Sequence, residues 1–208
     1  MGARQILLFS LGIVACVAVA WGLVTLVKPN RGAPGDTGSA VINTKGADIG
    51  GPFSLIDHTG KRVSDAQYRG RFMLIFFGYT FCPDVCPLEL QTVGRAMDIL
   101  GSKGEKITPL FISVDPERDT PALLKEYVAA FHPRMVGLTG SAAEIAAAAK
   151  AFKVYYGKPP GTKAGTQDYL MDHSSFIYLV GPGGTLRALF RPKTSPESLA
   201  REISRFMK

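Results

Sequence analysis

An unbroken apolar run, Met73-Leu74-Ile75-Phe76-Phe77, leads into Phe81-Cys82-Pro83-Asp84-Val85-Cys86-Pro87, and this junction constrains the fold more than any other stretch. A half-exposed strand alternates apolar and polar residues. A run without alternation predicts a strand covered on both faces, as in a parallel sheet between helices. From residue 87 to residue 100 the pattern turns helical, with Leu88, Leu90, Val93, Met97 and Leu100 apolar and proline at the favoured first position. Two thiols therefore sit at the top of a buried strand, where a helix opens. A helix N-terminus stabilises negative charge on sulfur, so the junction suits metal binding or disulfide exchange, both of which need thiolates.

The elements beyond this junction alternate. Residues 53–57 and 62–64 read as a short hairpin around His58-Thr59-Gly60-Lys61, and residues 107–114 as a second buried strand ending at Asp115-Pro116. Thr120-Pro121 opens a helix reaching Phe131. Ser141-Ala142-Ala143-Glu144 is a capping box opening another helix through Phe152. Residues 175–180 and 185–190 form a hairpin around Gly181-Pro182-Gly183-Gly184, and Ser195-Pro196-Glu197 caps a last helix. Parallel strands first, then an antiparallel pair, with helices on both faces, is the thioredoxin-like order of an α/β fold, here with an N-terminal β-hairpin.

Residues 6–27 contain no charged side chain. At about 1.5 Å per residue such a helix just spans a hydrocarbon core of about 30 Å, so it is read as one transmembrane anchor. That gives a short tail at 1–5, the anchor at 6–27, a Gly-, Pro-, Ser-, Ala- and Thr-rich linker at 28–46, and a domain at 47–208. Two processing signals compete with a retained anchor. Ala18-Val19-Ala20 resembles a cleavage site, and Ile13-Val14-Ala15-Cys16 a lipoprotein box that would put a lipid on Cys16. The apolar run outlasts the roughly 7–15 residues of a secretory signal core, which favours retention. Arg4 on one side and Lys28 and Arg31 on the other leave the positive-inside rule without a strong vote. The N-terminus is placed inside because a short tail before one apolar segment behaves like an uncleaved signal. The net charge of +7 is spread along the chain without a block of like charges, which argues against a nucleic-acid partner.

Positions four apart at a helix start project to one side, so Cys82 and Cys86 either present both sulfurs to one point or close on each other. A permanent disulfide there would close a very small loop and constrain the unfolded chain little; a redox-active pair remains open. Of the three histidines, His58 sits in a turn and His132 precedes Pro133 at a helix end, both reading as local caps or surface residues. His173 ends the loop entering the last hairpin, which in this fold returns against the cysteine helix. Two thiolates and an imidazole form a soft set that suits Cu(I) and, with a further oxygen or nitrogen donor, Cu(II); a structural zinc site wants a fourth protein ligand. Asp172 and Asp84 are candidates to orient His173 or to tune the site from beyond the donor atoms. Met171 is a candidate thioether that strand alternation is taken to point away from His173, which assigns it to packing.

Phe77-Gly78-Tyr79-Thr80-Phe81-Cys82-Pro83-Asp84-Val85-Cys86-Pro87, Ser113-Val114-Asp115-Pro116-Glu117-Arg118-Asp119-Thr120-Pro121 and Asp168-Tyr169-Leu170-Met171-Asp172-His173-Ser174 together resemble the motifs of the Sco/SenC proteins, in the same order. The resemblance implies a membrane-tethered copper chaperone of thioredoxin-like fold that assists assembly of the CuA centre of cytochrome c oxidase. It implies Cys82, Cys86 and His173 as ligands of one copper per chain, as Cu(I) and/or Cu(II). The implied partners are the oxidase subunit carrying CuA, another copper chaperone, or a thioredoxin-like reductant. The family occurs in bacterial and mitochondrial inner membranes. The few residues before the apolar run are too short for a transit peptide, which favours a bacterial inner membrane with the domain facing the periplasm.

Three other readings stand beside this one. A thiol–disulfide oxidoreductase would use Cys82 and Cys86 as its redox pair, but thioredoxins space their cysteines by two residues and carry a proline where Asp172-His173-Ser174-Ser175 has none. A peroxidase of the peroxiredoxin kind is superficially suggested by Thr80-Phe81-Cys82-Pro83, although the threonine and proline spacing differs. A redox or copper sensor would use the same three ligands. A metallochaperone, rather than an enzyme, is the preferred class.

Overall fold

The computed structural model describes residues 40–42, 48–160 and 168–208. In chain order the strands are β1 (Val41–Ile42), β2 (Ser54–Asp57), β3 (Arg62–Ser64), β4 (Phe72–Gly78), β5 (Ile107–Ser113), β6 (Val136–Thr139), β7 (Tyr156–Gly157), β8 (Asp172–His173), β9 (Ile177–Val180) and β10 (Leu186–Phe190). The helices are α1 (Val85–Leu100), α2 (Pro121–Ala129), α3 (Ala142–Ala151) and α4 (Pro196–Phe206).

The main sheet runs β1-β10-β9-β4-β5-β6-β2-β3. Its centre is parallel, β4 with β5 and β5 with β6, and its flanks are antiparallel. The apolar run dictates this placement. Six of the seven residues of β4 are buried, which only a central strand covered on both faces allows. Phe77 meets Tyr178 of β9 edge to face at 5.9 Å between ring centroids, and Phe152 closes on both rings at 5.5 Å. Each fully buried aromatic of this kind stabilises the fold by about 1.5–3 kcal/mol.

The helix after β4 starts at Val85, two residues before the expected start, so Pro87 is its third residue. Nothing is lost there, because the first turn's N–H groups have no intrahelical acceptor. Helix α1 buries Leu90, Val93, Met97 and Leu100 and packs against α4. Gly94 permits the close approach of the chain after α2, since a Cβ at that position would lie 2.5 Å from the Phe131 carbonyl oxygen. The capping box at Ser141 and Glu144 forms, and Ser195 Oγ accepts the Ser198 N–H at the start of α4.

Strand β6, the third parallel strand, is absent from the sequence reading because Val136-Gly137-Leu138-Thr139 is short and broken by glycine. Val41 and Ile42, which composition placed in the linker, instead pair with Phe190 and Leu189 at the sheet edge. The tail at 1–5, the anchor at 6–27 and Cys16 lie outside the described residues, as do residues 28–39 and 43–46 of the linker. Among the described residues no helix is long and apolar enough to cross a membrane.

Candidate metal centre

The centre forms at the carboxyl ends of β4 and β5, where a parallel sheet opens a crevice. After Gly78 the chain turns, the Cys82 N–H donating to the Tyr79 carbonyl at 3.3 Å, and α1 begins. Cys82 precedes the helix and Cys86 is its second residue, so the sulfurs converge through a turn and a helix start rather than along a helix face. The Cys86 N–H, an orphan donor of the first turn, points at Cys82 Sγ at 3.4 Å. Cys86 is fully buried and Cys82 half-buried; both are free thiols. Gly78 makes room for the inner sulfur, because a Cβ at that position would stand 2.7 Å from Cys86 Sγ.

His173 arrives on β8, which pairs antiparallel with β7 through Tyr156. Its Nε2 lies 3.3 Å from Cys86 Sγ and its Nδ1 3.1 Å from the Ser174 carbonyl oxygen. A carbonyl only accepts, so Nδ1 carries the proton and Nε2 keeps its electron pair for the centre. The edges of Tyr79 and Phe76 hold the ring at 5.7 and 6.1 Å between centroids. The orienting group is thus the Ser174 carbonyl rather than the Asp172 or Asp84 side chain, one of the two roles considered for those acids. Met171 is buried, as expected, but not by alternation: residues two apart on a strand share a face, and Met171 lies outside the two-residue β8.

Donor atoms of Cys82, Cys86 and His173 all lie within 4.8 Å of one another, close enough to bind one ion together. The thiol pair is electrically asymmetric. Cys82 is pushed well below the ordinary thiol range, first by the hydrogen bond from the Cys86 thiol and then by the N–H groups at the helix start. Cys86 is pushed up because it holds the shared proton and is buried. The metal-free pair is one thiolate facing one thiol. A soft cation displaces the remaining proton and takes two sulfurs and a nitrogen.

Around the donors runs a buried polar frame that the sequence reading assigned no role. Asp119 accepts from Thr80 Oγ1 and Ser113 Oγ, both at 2.6 Å, and from the Thr80 N–H at 3.1 Å, tying the cysteine turn to the end of β5. Its burial pushes its carboxyl up against those bonds. Arg118 and Asp115 form a buried ion pair; Tyr169 Oη donates to Asp115 at 2.7 Å, and Arg118 donates to the Tyr169 carbonyl at 3.0 Å. The guanidinium lies 3.6 Å from the Tyr169 ring centroid and 4.6 Å from that of Phe81. Two acids bracketing an arginine just past a buried strand were the available signal, since such charges are rarely fully buried unless paired.

The other histidines stay outside this centre. His58 Nδ1 accepts the Gly137 N–H at 3.0 Å, bracing the hairpin against β6. His132 is buried rather than at the surface, and its Nδ1 accepts the Arg134 N–H at 3.1 Å. Among the described residues the metal-capable cluster is Cys82, Cys86 and His173.

Residues 42–208 match the family described as SCO1/SenC. The chain belongs to the SCO1/SenC family. It is 45% identical over 159 residues to Protein sco1 of Schizosaccharomyces pombe, a match covering 76% of this chain and 60% of that one. The chain thus accounts for less than two thirds of that relative. Against the SCO2-like protein of Rickettsia felis it is 38% identical over 192 residues, covering 92% and 90%. The structure of Bradyrhizobium japonicum ScoI with copper bound superposes with a TM-score of 0.69 at 44% identity, over 76% of this chain and 99% of that one. With these Sco proteins this chain shares the thioredoxin-like α/β architecture.

Proposed function

We propose that this SCO1/SenC member is a membrane-tethered copper carrier that holds one copper ion on Cys82, Cys86 and His173 and delivers it to the CuA centre of cytochrome c oxidase. The observation that carries the reading is the convergence of two sulfurs and Nε2 within 4.8 Å. Copper is cargo here, and the donor set fits it: soft thiolates and an imidazole favour copper, and three protein donors leave a side open for transfer. The copper-bound Bradyrhizobium relative supports the same assignment. The charge-free residues 6–27 support a single-pass anchor, with the domain facing the periplasm of a bacterial inner membrane.

A second reading rests on the half-buried thiolate. Cys82 attacks one sulfur of a partner disulfide, Cys86 displaces it from the mixed disulfide, and the partner leaves with two thiols while Cys82 and Cys86 become the disulfide. Reducing the oxidase cysteines this way prepares them for copper, so carrier and reductant act on one target.

The test is copper stoichiometry on the full chain, reduced and oxidised, followed by incubation with the copper-free CuA domain. Expected are one copper per reduced chain, none after oxidation, and copper on the CuA domain afterwards. Copper held equally well by His173→Ala as by the parent would remove the three-donor site. Reduction of an oxidised CuA domain without copper transfer would favour the second reading.

A further inference from the structure

Beside the centre, between the first turns of α1 and the turn that follows β10, lies a groove of about 440 Å³. It is continuous with the cysteine turn: Asp84 and Val85, between and beside the two thiols, form one end, and Ser175, two residues past His173, lines it as well. Leu88 stands about half exposed on one wall, opposite Pro192 and Pro196. Phe81, next to Cys82, is equally exposed, with the Arg118 guanidinium 4.6 Å from its ring centroid. Exposed large apolar side chains scattered singly need no explanation. Two flanking the same reactive turn beside a groove mark a contact surface.

Two further features give the surface a chemistry. Arg95 and Lys193 stand at the groove, and neither has an ion pair among the described residues. In the wall, the Glu89 carboxyl is almost wholly buried. Its Oε1 accepts the Lys193 N–H at 2.7 Å, while Oε2 is buried with no hydrogen-bond partner among the described residues.

We infer that this groove seats an extended, apolar and acidic segment of the copper-receiving protein. The inference rests on the carrier reading and names the surface by which it acts. Apolar side chains of that segment cover Leu88 and the prolines, and its carboxylates pair with Arg95 and Lys193. The groove has room for a few residues of extended chain, not for a folded face. A segment seated there lies against the Cys82–Cys86 turn, so docking itself brings the receiving ligands to the open side of the ion. The chain's net charge of +7 adds long-range attraction to an acidic partner.

The experiment follows copper transfer from the full chain, loaded with Cu(I), to the copper-free CuA domain, for the parent, Arg95→Glu, Leu88→Ala and the control Lys106→Glu. Lys106 is exposed and precedes β5, at the opposite end of the sheet, so its reversal makes the same charge change away from the groove. Expected are unchanged copper stoichiometry in all four and transfer slowed by about tenfold or more in Arg95→Glu and Leu88→Ala, but not in Lys106→Glu. The parent's transfer slows as salt rises, and Arg95→Glu loses much of that dependence. Equal transfer by parent and groove variants overturns the groove and leaves the carrier reading standing. A parent that binds copper but passes none to the domain overturns both.

Discussion

Cys82 and Cys86 are close in sequence yet chemically unlike, and the difference is set by where each stands. Cys82 lies in the turn, half-buried, with an N–H of the helix start and the neighbouring thiol directed at it. Cys86 lies inside the first helical turn against Gly78, sealed from water. The folded, metal-free protein should therefore be alkylated at Cys82 first, with Cys86 following only on unfolding. The pH dependence has a definite sign. A depressed pKa keeps Cys82 a thiolate as pH falls below the ordinary thiol value of about 8.5, so its carboxamidomethylation rate stays nearly flat from pH 8 to pH 6. The same cysteine in the urea-unfolded chain should lose about tenfold in rate per pH unit over that range. Peptide mapping after a brief iodoacetamide pulse reads both; a folded rate falling in parallel with the unfolded one would show that the helix start and the Cys86 thiol do not hold the charge. Gly78 gives the second prediction at this scale. In Gly78→Ala the new methyl would meet Cys86 Sγ at 2.7 Å and the rings of Phe76 and Phe111 at 3.0 Å. Overpacking of this kind costs about 1–3 kcal/mol. Because the atom forced aside is a donor sulfur, copper affinity should fall along with the urea midpoint. A loss of stability with copper affinity intact would mean that the rings give way and the sulfur does not.

Among the elements, the turn after β4 with the start of α1, the loop after β5, and β8 with the segment before it supply the parts of the centre, and buried polar groups fix their mutual position. Asp119 is the joint between two of them, receiving three hydrogen bonds from Thr80 and Ser113. Asp119→Ala should leave those donors unsatisfied at about 1–3 kcal/mol each where no water reaches them, and the sum should exceed what removing an exposed acid such as Glu197 costs. Equal urea midpoints for Asp119→Ala and Glu197→Ala would refute this. Elements whose signal is local were legible in the sequence. The apolar run of β4, the Ser141–Glu144 box and the proline-opened helices each carry their own pattern within a few residues. The convergence of Cys82, Cys86 and His173 was legible for a related reason: a thiol pair and one histidine at the ends of buried elements have few other places to go in this topology. The frame was not. Arg118 donates to the carbonyl of Tyr169, 51 residues away, and His173 is oriented by a main-chain carbonyl that no side-chain pattern announces. Strand β6 escaped because a short segment broken by Gly137 has no period of its own and is a strand only because β5 and β2 lie on either side.

For the whole molecule, the proposed centre predicts that metal loading and folding are linked through Cys82, Cys86 and His173. An ion that binds the folded chain and not the unfolded one stabilises the fold by RT ln(1 + [L]/Kd), about 2.7 kcal/mol at a hundredfold excess over Kd. Reduced protein with copper should therefore melt several degrees above reduced protein without it, and removing copper with a Cu(I) chelator should return the lower midpoint. Oxidation severs the link, because a disulfide between Cys82 and Cys86 consumes both sulfur donors and leaves His173 alone. Copper added to the oxidised chain should then give no upward shift. The centre sits where the cysteine turn meets the central strands and β8, so the copper-dependent shift should be seen equally by near-ultraviolet circular dichroism and by calorimetry, as one cooperative transition. An upward shift that survives oxidation would place the stabilising copper somewhere other than these thiols. A shift present in Cys82→Ala but absent in His173→Ala would mean that the imidazole and one buried sulfur, rather than the thiol pair, carry most of the binding energy.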